Sequence, residues 1–388
     1  MDFTIDEKKL IKYNGNEQEV VIPVGIEEIG DDAFYDNTEI RRVVMPDGLR
    51  VIGRQAFRGC TLLERADIPS TVNKIGDNAF CSCRSLTDIS VPEGVEEINE
   101  YTFFFCKSLE KLNLPKSLKK IWKYAFCGCV SLINVEIPEG VAIFGHHSFS
   151  GCMGLKSIEI PKSVQLIGHK AFSECDSLEY VNIPEGVEEL EYASFSGCMS
   201  LKEIKLPDSL RKIGTRAFGG CSTLKKLKIP ENTEEIENEA FMDCKSLESI
   251  NLPKKLLKLN SSIFEGCSSL EEIYIPEGIR RIKGYAFKNC ANLKKVFLPD
   301  SVICIGSGIF ECCKSLEYVK LPAKIKEIPM SAFLNCTALK SLTLPQDLVL
   351  IESGAFKGCV SLKSVILPEN IKEIEQGAFE SNIQYIKP

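Results

Sequence analysis

The chain has 388 residues, with 54 Asp and Glu against 47 Lys and Arg, a formal net charge of −7 and a pI near 5.4. That balance argues against a general nucleic-acid binder, which carries a basic face. No run of about 18 apolar residues occurs, so no transmembrane helix is expected. The start, Met1-Asp2-Phe3-Thr4, lacks the basic and apolar regions of a signal peptide, so none is expected.

In chain order, residues 1–22 read as an N-terminal capping hairpin. Leu10–Tyr13 and Glu17–Ile22 flank Asn14-Gly15, the strongest two-residue type I′ turn signal. Residues 23–380 then follow one rule. Proline recurs every 23 residues from Pro23 to Pro368, and Phe from Phe34 to Phe379. Cys keeps the step from Cys60 to Cys359, and Leu from Leu63 to Leu362, without one insertion. A fixed period of this length marks a solenoid, in which each repeat contacts only its neighbours. About 16 repeats are expected, with no linker dividing them. Residues 381–388 read as a C-terminal edge strand or cap. Its strand runs over Ile383–Pro388, Pro388 arrives three residues early, and Tyr385 or Ile386 is left at an exposed edge.

Within a repeat, Ile89 and Val91 alternate with Asp88 and Ser90, the period of a half-buried strand. Stacking such strands every ~4.8 Å predicts a parallel sheet and a body roughly 75 Å long. Proline cannot donate to a ladder and ends each strand. Val95 and Ile98 turn back inward as a second, shorter strand. The following Ala-Phe pair fits one helical or 3₁₀ turn. Two residues after Phe, types that tolerate positive φ recur (Gly59, Asp243, Asn335), which predicts an αL cap. Glycine after the Ile slot (Gly53, Gly76, Gly168) needs no positive φ, because Pro329 fills the same slot.

The string L-x-x-I-x-L-P-x-x-V-x-x-I-x-x-x-A-F-x-x-C resembles the BspA-type leucine-rich repeat, also called the Treponema pallidum type, over about residues 10–380. Departures are Ala66, Phe144 and Thr233 in apolar slots, with Asn37 and Asn382 replacing Cys in the terminal repeats. The resemblance implies a right-handed leucine-rich-repeat superhelix. It would carry a parallel β-sheet on one face and short strands or 3₁₀ turns on the other. It also implies, often, a secreted or cell-surface adhesion role in bacteria, and no catalytic residues.

Cysteine numbers 18, fourteen of them in one slot. Their Cβ vectors run parallel from coil to coil, which disfavours disulfides, so a buried reduced ladder is expected. The pairs Cys81/Cys83, Cys127/Cys129 and Cys312/Cys313 lack zinc-site spacing. So many free thiols favour a reducing or anaerobic setting. His146, His147 and His169 share one small region and read as a solvated turn, so no metal and no cofactor is expected. No G-x-S-x-G, Walker loop or G-x-G-x-x-G appears, so the chain is not read as an enzyme.

The outward strand positions vary where the inward ones stay aliphatic, and they carry the binding hypothesis. Asp67, Glu136 and Glu159 form an acidic zone, and Lys205, Lys226 and Lys228 a basic one. Tyr274, Phe297 and Tyr318, with Glu272 beside them, form an aromatic ladder on three successive strands. A second aromatic patch on turns comprises Tyr101, Phe104, Phe105, Trp122 and Tyr124. It reads either as a lateral contact or as packing under a turn. The leading reading is a monomeric scaffold that binds protein through its sheet face. The alternatives are a carbohydrate- or cell-wall-binding module and a structural spacer; an exposed aromatic cluster suits protein or sugar.

Overall fold

The computed structural model describes residues 2–381 and 383–386. Asn382 and Pro388, which the sequence reading singled out, lie outside them. The chain folds as a β-solenoid of 23-residue coils in two compact units. One holds the residues up to Val187 with Ser194–Ile204, and the other holds Glu188–Ala193 with Lys205 onward. No helix occurs among the described residues.

Each coil contributes one strand to a main ladder and one two-residue strand to a second ladder. In the first unit, Glu19–Val21, Arg42–Val44, Arg65–Asp67, Asp88–Ser90 and Lys111–Asn113 form one parallel run of the main ladder. In the second unit Glu272–Tyr274 pairs in register with Lys295–Phe297, so Tyr274 stands opposite Phe297. Ser364–Ile366 pairs with Gln384–Ile386, and Ile386 is exposed. The second ladder pairs, for example, Lys258–Leu259 with Arg281–Ile282.

The Ala-Phe segment is not helical. It is a run of overlapping turns, in which the Ala56, Arg58 and Cys60 N–H groups donate to the Gly53, Gln55 and Phe57 carbonyls. The expected αL position two residues after Phe is present, at φ +76° in Gly59 and +57° in Asp243. A second αL position, two residues before Phe, went unread because its residue types vary: Gln55, Tyr124, Lys170 and Arg216 all have positive φ there. These alternations aim the Gln55, Phe57 and Gly59 N–H groups at the Asp77, Ala79 and Cys81 carbonyls of the next coil. Each coil is thereby hydrogen-bonded to its neighbour on a third side. Gly53 has ordinary φ, as expected, and is glycine for another reason. A Cβ there would meet the Gly30 carbonyl carbon at 2.6 Å.

The core of each unit is a column of buried phenylalanines. Neighbouring rings stack at 4.7–5.6 Å from Phe34 through Phe57 and Phe80 to Phe103. In the second unit Phe218, Phe241, Phe264 and Phe287 do the same at 5.5–5.7 Å. Beside the column, slot cysteines donate their thiols to the carbonyl of a phenylalanine one coil earlier. Cys198 Sγ lies 3.2 Å from Phe172 O, and the contact recurs at 3.0–3.2 Å along both units. Cysteine suits the slot because it is small, apolar and still able to satisfy a buried acceptor. The terminal repeat uses Asn37 instead, whose Nδ2 reaches Gly15 O at 3.2 Å.

The N-terminal hairpin differs from the expectation. Its strands are Phe3–Asp6 and Lys9–Tyr13, antiparallel, turning at Glu7, where φ is 50°. Lys9–Leu10 starts the second ladder on Glu28–Ile29, and Glu19–Val21 starts the main one on Arg42–Val44. Asn14-Gly15 is therefore the crossing between ladders. Its glycine makes room for Tyr13, because a Cβ would meet the phenol oxygen at 2.4 Å. Tyr13 lies 5.2 Å from Phe34 and closes the phenylalanine column.

The thiols are free and the slot cysteines are buried, whereas Cys304 is exposed. Burial pushes the Cys60, Cys198, Cys244 and Cys359 thiols up to about 12. An unfolded cysteine titrates near 8.5, so the unfolded state loses these protons first as pH rises. The stabilisation is complete below pH ~8.5 and is lost as pH climbs toward 12. The melting temperature should therefore fall steadily between about pH 8.5 and 10. Thiol alkylation of the native protein at neutral pH, read by mass spectrometry, should modify Cys304 and spare the ladder. Rapid native labelling of most slot cysteines would refute their burial. Cys198→Ala should cost about 1–2 kcal/mol, for a lost buried atom and a weak hydrogen bond.

Candidate functional site

The second unit presents its candidate site on the outward positions of the main ladder. Tyr274 and Phe297 occupy the same slot on adjacent paired strands. Their rings stack at 4.3 Å with 5° between planes, yet they are 62% and 43% exposed. The residues between outward positions, Ile273 and Val296, are buried, so the pair stands on a fixed base. Tyr318 is also exposed, but it stands two residues earlier in its strand, in the column of Glu272 and Lys295 and opposite Ser341. Among the described residues, no ring contact joins Tyr318 to Phe297. The aromatic ladder expected from sequence is thus a stacked pair with a third ring in the adjoining column.

Glu272 faces Lys295 across the ladder and lines a notch of about 590 Å³ with Ser249, Ser269 and Asn292. Lys226 lies exposed on the strand two coils earlier and Lys228 just past its end, with Lys205 one coil beyond them. Asn251 intervenes, and its side-chain amide both donates to and accepts from the Ile229 backbone at 2.9 Å. Slot register, read two positions deep, would have separated Tyr318 from the pair and added Lys295 and Lys320 to it.

The first unit treats its outward charges differently. Asp67 accepts from both Arg42 at 2.8 Å and Arg65 at 2.7 Å. Partial burial pushes this carboxyl up, but the two guanidinium hydrogen bonds outweigh it and hold the group below its ordinary value. Asp67 is thus neutralised locally and does not extend the acidic zone of Glu136 and Glu159, which remain exposed.

The turn-side aromatics of the same unit mostly pack on one another. Tyr101 and Tyr124 share the αL slot before Phe and stack at 4.7 Å, and Tyr124 continues onto His147 at 4.5 Å. Phe104 meets both tyrosines edge-on, at 5.4 and 6.1 Å. Phe105 lies over Gly128, where a Cβ would meet its ring at 2.3 Å. Trp122 stands apart. Its indole N–H donates to Glu97 at 2.8 Å and the Lys120 ammonium sits 5.2 Å from its ring. His147 is not fully solvated. Burial, with Lys170, His146 and His169 nearby, pushes its imidazole below the ordinary value.

A family model described as the BspA type leucine rich repeat region matches overlapping segments, residues 7–133, 73–202, 119–248, 189–307 and 258–386. The chain belongs to the BspA-type leucine-rich repeat family. No curated protein matches its sequence. Among solved structures, a leucine-rich repeat protein from Bacteroides ovatus is 28% identical, with a TM-score of 0.82 and all of both chains covered. A leucine rich cell surface protein from Faecalibacterium prausnitzii is also 28% identical, over 86% of this chain and 89% of that one, with a TM-score of 0.48.

Leucine-rich repeat proteins bind proteins and are generally non-enzymatic scaffolds, and this BspA-type chain is a scaffold of that class. Among the described residues, no helix is long and apolar enough to cross a membrane. The two aromatic regions of this repeat protein separate on physical grounds. The turn-side rings stabilise the coil stack, while the Tyr274–Phe297 pair adds exposed apolar area to a sheet already held by its inward residues. The turn-side patch can be checked through Trp122, the chain's single tryptophan. The Trp122 hydrogen bond, with a second from Lys120, holds Glu97 below its ordinary value against partial burial. Glu97→Ala should cost about 1 kcal/mol and red-shift Trp122 emission. An unchanged spectrum and melting curve would show that this contact contributes nothing.

Proposed function

We propose that this repeat protein binds a protein partner through the outward face of the main ladder in its second unit. Tyr274 and Phe297 form the anchor, with Tyr318, Glu272, Lys205, Lys226 and Lys228 around it. We further read the role as adhesion, the use to which the family resemblance points. The observation that carries the reading is the exposed stacked pair itself. Two aromatic rings held in water on a rigid sheet are a preformed apolar anchor, which a partner can bury without ordering new backbone. Such rings are enriched at the centres of protein interfaces.

The same geometry weighs against the carbohydrate reading. A sugar stacks on a free ring face. Here each ring already gives one face to the other, at 4.3 Å and nearly parallel. A featureless spacer face would not concentrate aromatics in this way.

The test is site-specific cross-linking in extracts of bacterial and host-cell surfaces. A photoreactive benzoylphenylalanine replaces Phe297 in one sample and Glu327, on the second ladder, in another. Protein adducts should form at position 297 and not at 327, and should vanish in Tyr274→Ser/Tyr318→Ser. For a captured partner, Tyr274→Ser/Phe297→Ser/Tyr318→Ser should cost about 2 kcal/mol or more, roughly thirtyfold in Kd. The melting temperature should hold, because no core slot changes. Equal adducts at both positions, or none at 297, would sink the proposal.

A further inference from the structure

The outward face of the second unit has a charge pattern opposite to that of the whole chain. The protein carries more acidic than basic residues. On this unit's main ladder from Lys226 to Lys320, however, the outward positions hold Lys226, Lys228, Lys295 and Lys320, and one carboxylate, Glu272. All five are exposed. Among the described residues, Lys226, Lys228, Lys295 and Lys320 form no ion pair.

Charges at the rim of the same sheet behave otherwise. One position before the first outward residue, Lys294 pairs with Glu271 at 3.0 Å, Lys340 with Glu317 at 2.9 Å and Lys225 with Glu248 at 3.7 Å. The rim neutralises itself from coil to coil. The face does not. Its lysines also surround the aromatic pair: Lys320 follows Phe297 in the same column, Lys295 precedes Phe297 in its strand, and Lys226 and Lys228 stand two coils before Tyr274. Exposed ammonium groups without a paired carboxylate gain an interaction only when an anion arrives.

We propose that the partner presents an acidic polypeptide segment carrying an aromatic or apolar side chain. The side chain lies on Tyr274 and Phe297, and its carboxylates meet Lys226 and Lys228 on one side and Lys295 and Lys320 on the other. This rests on the protein-binding reading of the face and adds the chemistry of the partner. Charge complementarity selects an acidic segment over a basic or neutral one, and the stacked rings select one bearing an apolar anchor over plain polyanion.

The experiment measures fluorescence anisotropy of the full chain with labelled glutamate–tyrosine copolymer, polyglutamate, polylysine and polygalacturonate. The copolymer should bind best and polylysine not at all. Its affinity should fall about tenfold between roughly 50 and 300 mM salt. Lys226→Glu/Lys228→Glu and Lys295→Glu/Lys320→Glu should each weaken it about tenfold or more, while Lys324→Glu, off the face, should not. Circular dichroism and melting curves certify that each variant folds.

Polygalacturonate binding as tightly, with the same lysine dependence, would overturn the polypeptide assignment in favour of an anionic glycan. Polyglutamate binding as tightly would remove the aromatic anchor. Salt-sensitive self-association of the free chain, abolished by the charge reversals, would assign the face to a second copy. If the copolymer fails to bind while position 297 still cross-links to protein, the charge inference falls and the face remains. If position 297 captures nothing, the face itself is wrong.

Discussion

A coil of 23 residues can be stacked many times only if every buried backbone group finds its partner in the coil before or after. Leaving one buried donor or acceptor unmade costs about 1–3 kcal/mol, and a repeat multiplies any such defect. This chain meets the constraint on every side of the coil. The main and second ladders satisfy two sides. The paired αL positions about each phenylalanine turn alternate N–H groups toward the next coil on a third. The Phe57 carbonyl, which already accepts the Cys60 N–H, accepts the Cys83 thiol as a second donor. The absence of insertions follows, since one extra residue would put every later donor out of register.

The same constraint explains why the recurrent slots are taken up by packing. Phe, Cys, Leu and the strand aliphatics are consumed by the stack, and their burial makes the thiols inert rather than reactive. Chemistry and recognition can enter only through positions the stack leaves free. Those are the outward strand residues and the turn side chains. On the turns, Tyr101, Tyr124 and His147 show that even a free slot can be drawn into packing when the same residue type recurs one coil later. On the second unit's sheet, Tyr274 and Phe297 also stack, yet remain exposed together, and unpaired lysines surround them. Recognition by an aromatic centre inside a like-charged field has a simple physical advantage: the field selects and steers, and the rings hold.

Charge pairing divides the two kinds of surface further. In the first unit, Asp67 is held by Arg42 and Arg65, so an apparent acidic zone is partly internal bookkeeping of the sheet. In the second unit the rim pairs while the face does not. Exposed pairs of this kind contribute little stability, about 0–1 kcal/mol each. What they do is cancel local field, which leaves the unpaired positions as the ones a partner would sense.

Periodicity alone determined the solenoid, the strand slot, the proline stop, the buried cysteine ladder and the αL position after phenylalanine. Each recurs in most coils, so a weak local preference becomes a strong signal. The tertiary structure decided the rest. The αL position before phenylalanine was hidden because coil-to-coil hydrogen bonding, not residue type, imposes it on Gln55, Tyr124 and Arg216. The Asn14-Gly15 turn signal was overridden: Tyr13 closes the phenylalanine column, and Gly15 leaves room for its ring. The sorting of paired from unpaired lysines also came only from the fold, whereas the 23-residue step already sets Tyr318 two positions ahead of the Tyr274–Phe297 column. Two residues in a strand point the same way but stand in different columns, and only the register between coils says which side chains meet.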